Sequence, residues 1–165
     1  MKKLSLLLVA MTIALSAYAQ SITFSVPGIE VTYRRCIGSG TSAYVDFIMT
    51  NWTGEEIQGS SLSSESMAGY ENYVTVAYDD EGNVYRPGSG ISSVKIGDDI
   101  FTPSLAARPF ALPVGVPVKF RVRLSNVDEF ATEFKLLKMN FRGLDEGTVY
   151  GVSLLEIRDI PITRQ

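Results

Sequence analysis

The sequence predicts an all-β fold, an antiparallel sandwich of two sheets. Three observations carry that expectation. Apolar and polar residues alternate with a period of two in several short stretches, the mark of strands with one buried face. Gly, Asn and Asp cluster between those stretches, where tight connections need positive backbone dihedrals or local side-chain bonds to the backbone. No stretch sustains the helical period of about 3.6 residues, which excludes a parallel α/β architecture.

In chain order, Ile29, Val31 and Tyr33 alternate with Glu30, Thr32 and Arg34, and Val45, Phe47 and Met49 alternate with Tyr44, Asp46 and Ile48. Gly38-Ser39-Gly40 lies between the two and supplies the freedom for a hairpin. Tyr73 to Tyr78 reads as a strand with Val74, Val76 and Tyr78 on one face. It runs through Asp79-Asp80-Glu81-Gly82-Asn83 into Val84-Tyr85, a second hairpin signal. The clearest alternation is Val116 to Leu124, with Val118, Phe120, Val122 and Leu124 on one side and Lys119, Arg121 and Arg123 on the other. Pro117 sits near its start, where a missing ladder donor is tolerated.

Phe134 to Phe141 places Leu137, Met139 and Phe141 on one side, and Leu154 to Ile162 is apolar and β-branched until Pro161. Two stretches read as long connections: Thr53 to Glu71, rich in Ser and Gly, and Pro87 to Gly115, rich in Gly, Pro and Ala. Within the second, Val94 to Ile96 and Ile100-Phe101 suit short edge strands, since long structureless loops are uncommon in compact domains. Asp128 to Thr132 has the length of one helical turn.

The chain opens with Lys2 and Lys3, an apolar run from Leu4 to Leu15, and small and polar residues ending in Ala17-Tyr18-Ala19 before Gln20. That order matches a secretory signal peptide cleaved between Ala19 and Gln20. The apolar run is shorter than the roughly 20 residues a membrane-spanning helix needs. The expected organisation is residues 1–19 as leader and 20–165 as one domain, exported to the periplasm or the medium. Gln20 stands where a bacterial lipid anchor needs a cysteine, so no membrane anchor is expected after cleavage.

Cleavage leaves 146 residues with 13 basic and 18 acidic side chains, a net charge of −5. That balance argues against a nucleic-acid partner. Cys36 is the only cysteine, so no internal disulfide forms. It reads as a small buried hydrophobe in preference to a thiol that cross-links to a partner.

The sequence has no histidine, which removes the commonest general base, the commonest zinc ligand and the Ser-His-Asp arrangement together. Cys36 has only Arg34 and Arg35 nearby in sequence, and neither accepts its proton. No catalytic residue and no cofactor are expected. Carboxylates alone can run glycoside hydrolysis when two stand about 5 to 9.5 Å apart, and Asp79, Asp80 and Glu81 are the candidates. Asp79 and Asp80 also have the oxygens calcium prefers, although the spacing is not that of an EF-hand. The favoured reading of the cluster is a hairpin turn, with Gly82 taking the positive dihedral. Asp98-Asp99 makes no stronger metal candidate.

Two surface features bear on binding. Lys119, Arg121 and Arg123 form a basic row that suits an anionic glycan or an acidic partner, against the plainer reading of a solvated strand face. Trp52, Tyr70, Tyr73 and Tyr85 fall in or near expected loops and suit sugar stacking, against the plainer reading of rings that close the sandwich ends. Asn51-Trp52-Thr53 matches a glycosylation acceptor, read as coincidental in a bacterial chain.

Four features in order carry a resemblance: Phe47-Ile48-Met49-Thr50-Asn51, the hairpin from Tyr78 to Tyr85, Leu112-Pro113-Val114-Gly115-Val116-Pro117-Val118, and Ile157-Arg158-Asp159-Ile160-Pro161-Ile162. Together they resemble telokin-like, immunoglobulin-like domains of bacterial secreted and lipoprotein chains, over most of the mature sequence. The Ala19-Gln20 junction and the composition resemble exported proteins of the Bacteroides group. The resemblance implies an immunoglobulin-like sandwich and no particular activity, and Gln20 departs from the lipid-attachment cysteine common in those chains. The functional expectation is a non-enzymatic domain that binds a protein or glycan partner. The alternatives are a glycan-binding module using the loop aromatics and, behind it, a carboxylate-only glycoside hydrolase.

Overall fold

The computed structural model describes residues 20–61, 74–101, 109–144 and 152–165. Its strands are Ser21–Phe24 (β1), Ile29–Ser39 (β2), Ser42–Asn51 (β3), Ile57–Ser61 (β4), Val76–Asp79 (β5), Val84–Tyr85 (β6) and Ile91–Ile96 (β7). Asp99–Phe101 (β8), Pro109–Leu112 (β9), Val118–Ser125 (β10), Glu133–Arg142 (β11), Val152–Pro161 (β12) and Thr163–Arg164 (β13) complete the set. The described residues contain no helix. One sheet runs β1-β12-β11-β4-β9, with β5 also paired to β11 and β6 to β5. The other runs β13-β2-β3-β10-β7-β8. Every strand pair is antiparallel except β13 with β2.

The alternation in sequence becomes the wall between the sheets. Ala43, Val45, Phe47 and Met49 of β3 and Phe120, Val122 and Leu124 of β10 are fully buried. Leu137, Met139 and Phe141 of β11 and Leu155 and Ile157 of β12 face them from the other sheet. At the centre Phe47 and Phe120 stack with centroids 5.1 Å apart and planes 8° from parallel. Phe110 and Phe141 meet Phe120 edge-on at 5.5 and 5.9 Å, so rings from both sheets interlock.

The hairpin expected at Gly38-Ser39-Gly40 joins β2 to β3, with Gly40 at φ 55°. A bulge between Tyr33 and Arg35 shifts its register. The expected alternation through Arg34 therefore breaks: Arg35, not Arg34, stands opposite Asp46, and Cys36 turns into the core. Only 1% of Cys36 is exposed, and burial together with the nearby Asp46 charge pushes its thiol up to about 12. Such a thiol is neither nucleophilic nor available for cross-linking.

Several expectations are corrected. In β5 Ala77 joins the core and Asp79 is buried on the same side, while Tyr78 points outward, opposite to the expected parity, although Val76 is buried as well. The cause is the Asp79 carboxylate, which is drawn inward to the buried Tyr85 hydroxyl. Asp128 to Thr132 forms a tight turn closed by Ala131 N–H on Asp128 O, not a helical turn. The Ser- and Gly-rich connection contains β4, and the second connection contains β9 as well as the expected β7 and β8. Gly59 lets β4 fit, because a Cβ there would stand 2.5 Å from Leu144 Cδ2 and 2.7 Å from Phe110 Cζ.

The C-terminal segment links the two sheets. In β12 the buried positions are odd, Ser153, Leu155 and Ile157, until Asp159 adopts φ 53°. Beyond it Ile160 and Ile162 are buried, and the chain leaves β12 to pair as β13 with Ile37 and Gly38 of β2.

Candidate functional site

The outer face of β2, β3, β10, β7 and β8 collects the basic residues. Cross-strand register sets Arg35, Asp46, Arg121, Lys95 and Ile100 in one line across five strands. Lys119 lies one step along β10 opposite Ile48, and Arg123 one step the other way opposite Tyr44. These positions alternate with core residues, so the period of two that buries Phe120 and Val122 must place their neighbours outside.

Asp46 organises this face. Its side chain is only 2% exposed, although it points away from the core, because cations cover it. Arg121 donates from Nε to Oδ1 at 2.6 Å and from its terminal nitrogen to Oδ2 at 2.8 Å. Arg35 Nε donates to Oδ2 at 3.0 Å, and Lys119 Nζ lies 3.7 Å away. Burial opposes ionisation of Asp46, but the hydrogen bonds from Arg121 and Arg35 and the charges of Arg121 and Lys119 outweigh it. The carboxyl is held below its ordinary 3.8. Arg121 is correspondingly raised, first by its hydrogen bond to Asp46.

A depressed native pKa stabilises the fold above the unfolded value, and that contribution is lost as pH falls through the lower native value. Asp46→Asn is expected to cost about 2 kcal/mol near neutral pH. The difference from the parent protein should shrink below pH 3.8. Urea unfolding of both proteins near neutrality and at about pH 3 checks the sign.

Arg121 and Arg123 also flank the Tyr44 ring, with guanidinium carbons 5.7 and 5.9 Å from its centroid. Lys95, Gly97, Asp98, Lys119 and Arg121 line a concavity of about 250 Å³ that opens on the row. A second cleft of about 540 Å³ adjoins it, between the edge strands β8 and β9, lined by Ile96, Ile100, Phe110 and Val118 together with Asp98 and Asp99.

Trp52 belongs to the same face. It follows Asn51, the last residue of β3, and has the parity of Tyr44 and Asp46. Its indole Nε1 donates to Glu30 at 3.0 Å while 59% of the residue stays exposed. Gly115 in the loop after β9 lies beside the ring: a Cβ there would meet Trp52 Cζ3 at 3.6 Å, an ordinary contact, so it is the positive φ of 71° that favours glycine. Asn51, whose match to a glycosylation acceptor reads as coincidental, is fully buried, its Nδ2 donating to Leu112 O and Glu55 O.

Tyr85 does not join Trp52. Tyr85 is in β6, 3% exposed, edge-on to Phe134 at 5.6 Å. It contacts Asp128, and Val127 bonds Thr41 at the far end of β3, so about 30 Å of strand separates it from Trp52. Tyr70 and Tyr73 lie outside the described residues, as does Ala19 of the expected cleavage junction, whereas Gln20 is the first residue described.

Asp79 and Asp80 are committed to structure. Asp79 Oδ1 accepts from the backbone N–H of Glu81 and Asn83, and Oδ2 accepts from Asn83 Nδ2 at 2.9 Å and Tyr85 Oη at 2.6 Å. Asp80 accepts instead from Thr132 and the Glu133 backbone at the start of β11. Burial opposes its ionisation, yet these bonds lower its pKa. The two carboxylates thus serve different partners, and Asp98 pairs with Lys95 at 3.6 Å. No group of three or more potential metal ligands occurs among the described residues.

Sequence alternation alone identified Lys119, Arg121 and Arg123. It missed Arg35, Lys95 and the covered Asp46, whose grouping depends on strand order. A weak signal was present: Asp46 sits on an outward position between core residues, and an unpaired anion there would be ordinary only if exposed. No protein-family model matches the chain, and no curated protein matches it.

Proposed function

We propose that this chain is an exported, immunoglobulin-like binding module that engages another macromolecule across the outer face of β2, β3, β10, β7 and β8. It acts by contact, without turnover. The observation that carries this reading is the cluster of Arg35, Lys95, Lys119, Arg121 and Arg123 on one sheet face of a chain whose net charge is negative. Asp46 and Asp98 are the anions paired within it, so positive charge remains in excess. Asp46 also holds Arg35 and Arg121 in place, which reduces the ordering cost of an encounter. The telokin-like resemblance and the predicted leader support the exported setting, and the missing histidines support binding over catalysis.

The test is chemical cross-linking of the tagged protein in its native envelope, with mass spectrometry of what co-purifies. The parent protein is compared with Lys95→Glu/Arg123→Glu, which leaves all three Asp46 partners intact. A dominant species captured by the parent and lost from the variant is the expected result. Capture that is indifferent to the reversal removes this face from the reading. Substrate turnover by the purified protein overturns the reading altogether.

A further inference from the structure

We infer that the ligand of this face is a linear anionic glycan, carrying carboxylate or sulfate groups, laid along β3 and β10 from Trp52 to Tyr44. The inference rests on the binding reading above and names its ligand class.

Three features of the face select a charged sugar polymer over an acidic protein. First, the positive charges follow a line. Lys119, Arg121 and Arg123 alternate along β10, roughly 7 Å apart at the rise of an antiparallel strand, and Arg35 and Lys95 flank Arg121 across the sheet. Evenly spaced cations suit a polymer with a repeating anion. Second, the concavity bordered by Lys95, Lys119 and Arg121 gathers three cations against the single carboxylate of Asp98 in its lining, with Asp46 beneath Lys119 and Arg121, so it keeps a net positive charge for one small anionic group. Third, aromatic rings stand at both ends of the line: exposed Trp52 beside Glu30, and Tyr44 beneath the two guanidinium groups.

The distance from position 44 to position 52 along β3 is roughly 26 Å, long enough for several sugar rings. A sugar presents an apolar face to an indole and its charged substituents to the arginines, so both kinds of contact are used at once. Glu30, hydrogen-bonded to the indole, has a carboxylate beside Trp52 that accepts sugar hydroxyls. A stable protein interface instead needs a desolvated apolar centre. The middle of this face has charged side chains around Asp46, and its exposed large apolar residues, Trp52 and Ile100, stand at the margins.

Affinity electrophoresis and titration calorimetry of the purified mature chain test the inference. The probes are polygalacturonate (carboxylated), heparin (sulfated), uncharged dextran, polyglutamate and a single-stranded oligodeoxynucleotide. Retention by at least one anionic polysaccharide and none by dextran is expected, weakening steeply between about 50 and about 200 mM salt. Lys95→Glu/Arg123→Glu should reduce polysaccharide affinity roughly tenfold or more. Trp52→Ala should reduce it severalfold without changing the charge, and the thermal midpoint of each variant reports that folding is intact.

No retention of either polysaccharide overturns the inference. So does equal retention of polyglutamate or the oligonucleotide with no effect of Trp52→Ala, since the face would then read charge alone. If the polysaccharides fail while the envelope cross-link is still lost in the charge-reversed variant, the ligand class falls and the binding reading stands. If both fail, both fall.

Discussion

Phe120→Ala is expected to destabilise the fold by about 4 kcal/mol. Phe120 is fully buried in the middle of β10 and is the ring through which the sheets meet, stacked on Phe47 and edge-on to Phe110 and Phe141. Truncation removes the transfer free energy of the ring and leaves a space that three neighbouring rings on two sheets cannot close without moving their strands. Domains of this size have total stabilities of about 5 to 15 kcal/mol, so the variant should sit near the margin of folding. Denaturant titration reads the effect as a lower midpoint at unchanged slope. Phe120→Leu, which keeps most of the volume, should cost about 1.5 kcal/mol or less. A loss below about 1 kcal/mol for the alanine variant would show that the sheets do not depend on this ring cluster.

Asp79→Ala is expected to cost about 3 kcal/mol, through hydrogen bonds and not packing. One buried carboxylate satisfies two backbone N–H groups of the β5 to β6 turn, the Asn83 amide and the Tyr85 hydroxyl. Its removal leaves those donors without their acceptor, and the Tyr85 hydroxyl lies where burial limits access by water. Tyr85→Phe removes one donor and leaves the turn bonded, so it should cost about 1 kcal/mol.

The double variant should be less destabilised than the sum of the two singles, because both remove the same Tyr85 to Asp79 bond. The pair also has an alkaline signature. Burial, followed by the Asp79 hydrogen bond, pushes the Tyr85 hydroxyl up to about 12 from an ordinary 10.0. A raised native pKa contributes stability fully present below 10.0 and lost as pH rises through about 12. Absorbance titration of tyrosinate should therefore find, beside Tyr33, which burial also pushes up to about 12, a late-titrating group that Tyr85→Phe removes. Its absence from the parent protein would contradict the buried bond.

The parts of the fold legible in sequence were those governed by local pattern. Val118 to Leu124 read correctly because each inward residue is large and apolar and each outward one is charged. The hairpins at Gly40 and Gly82 read correctly because both glycines adopt positive φ. The failures came where a partner distant in sequence decides the matter. β4, Ile-Gln-Gly-Ser-Ser, has no alternation of its own and exists because β11 and β9 bond it on either side. The parity of β5 was inverted because a hydrogen bond to Tyr85 outweighs the cost of turning an aspartate inward.

The site divides in the same way. The three cations of β10 were visible as a period, whereas their union with Arg35, Lys95 and Trp52 required the strand order β2-β3-β10-β7. Asp79 and Asp80 looked like a pair because they are adjacent in sequence, yet a strand end points successive side chains in opposite directions.

The passage of the C-terminal segment from β12 to β13 has a consequence in time. β12 pairs with its sequence neighbour β11 but also with the distant β1, Ser21 opposite Arg158, and β13 reaches back to Ile37 in the other sheet. Closing loops of that length is slow before any contact rewards it, so folding should take on the order of milliseconds to seconds, as for other sandwiches built from distant pairings. Because residues 152–164 help to complete both sheets, the earlier strands remain without their final partners until that segment docks.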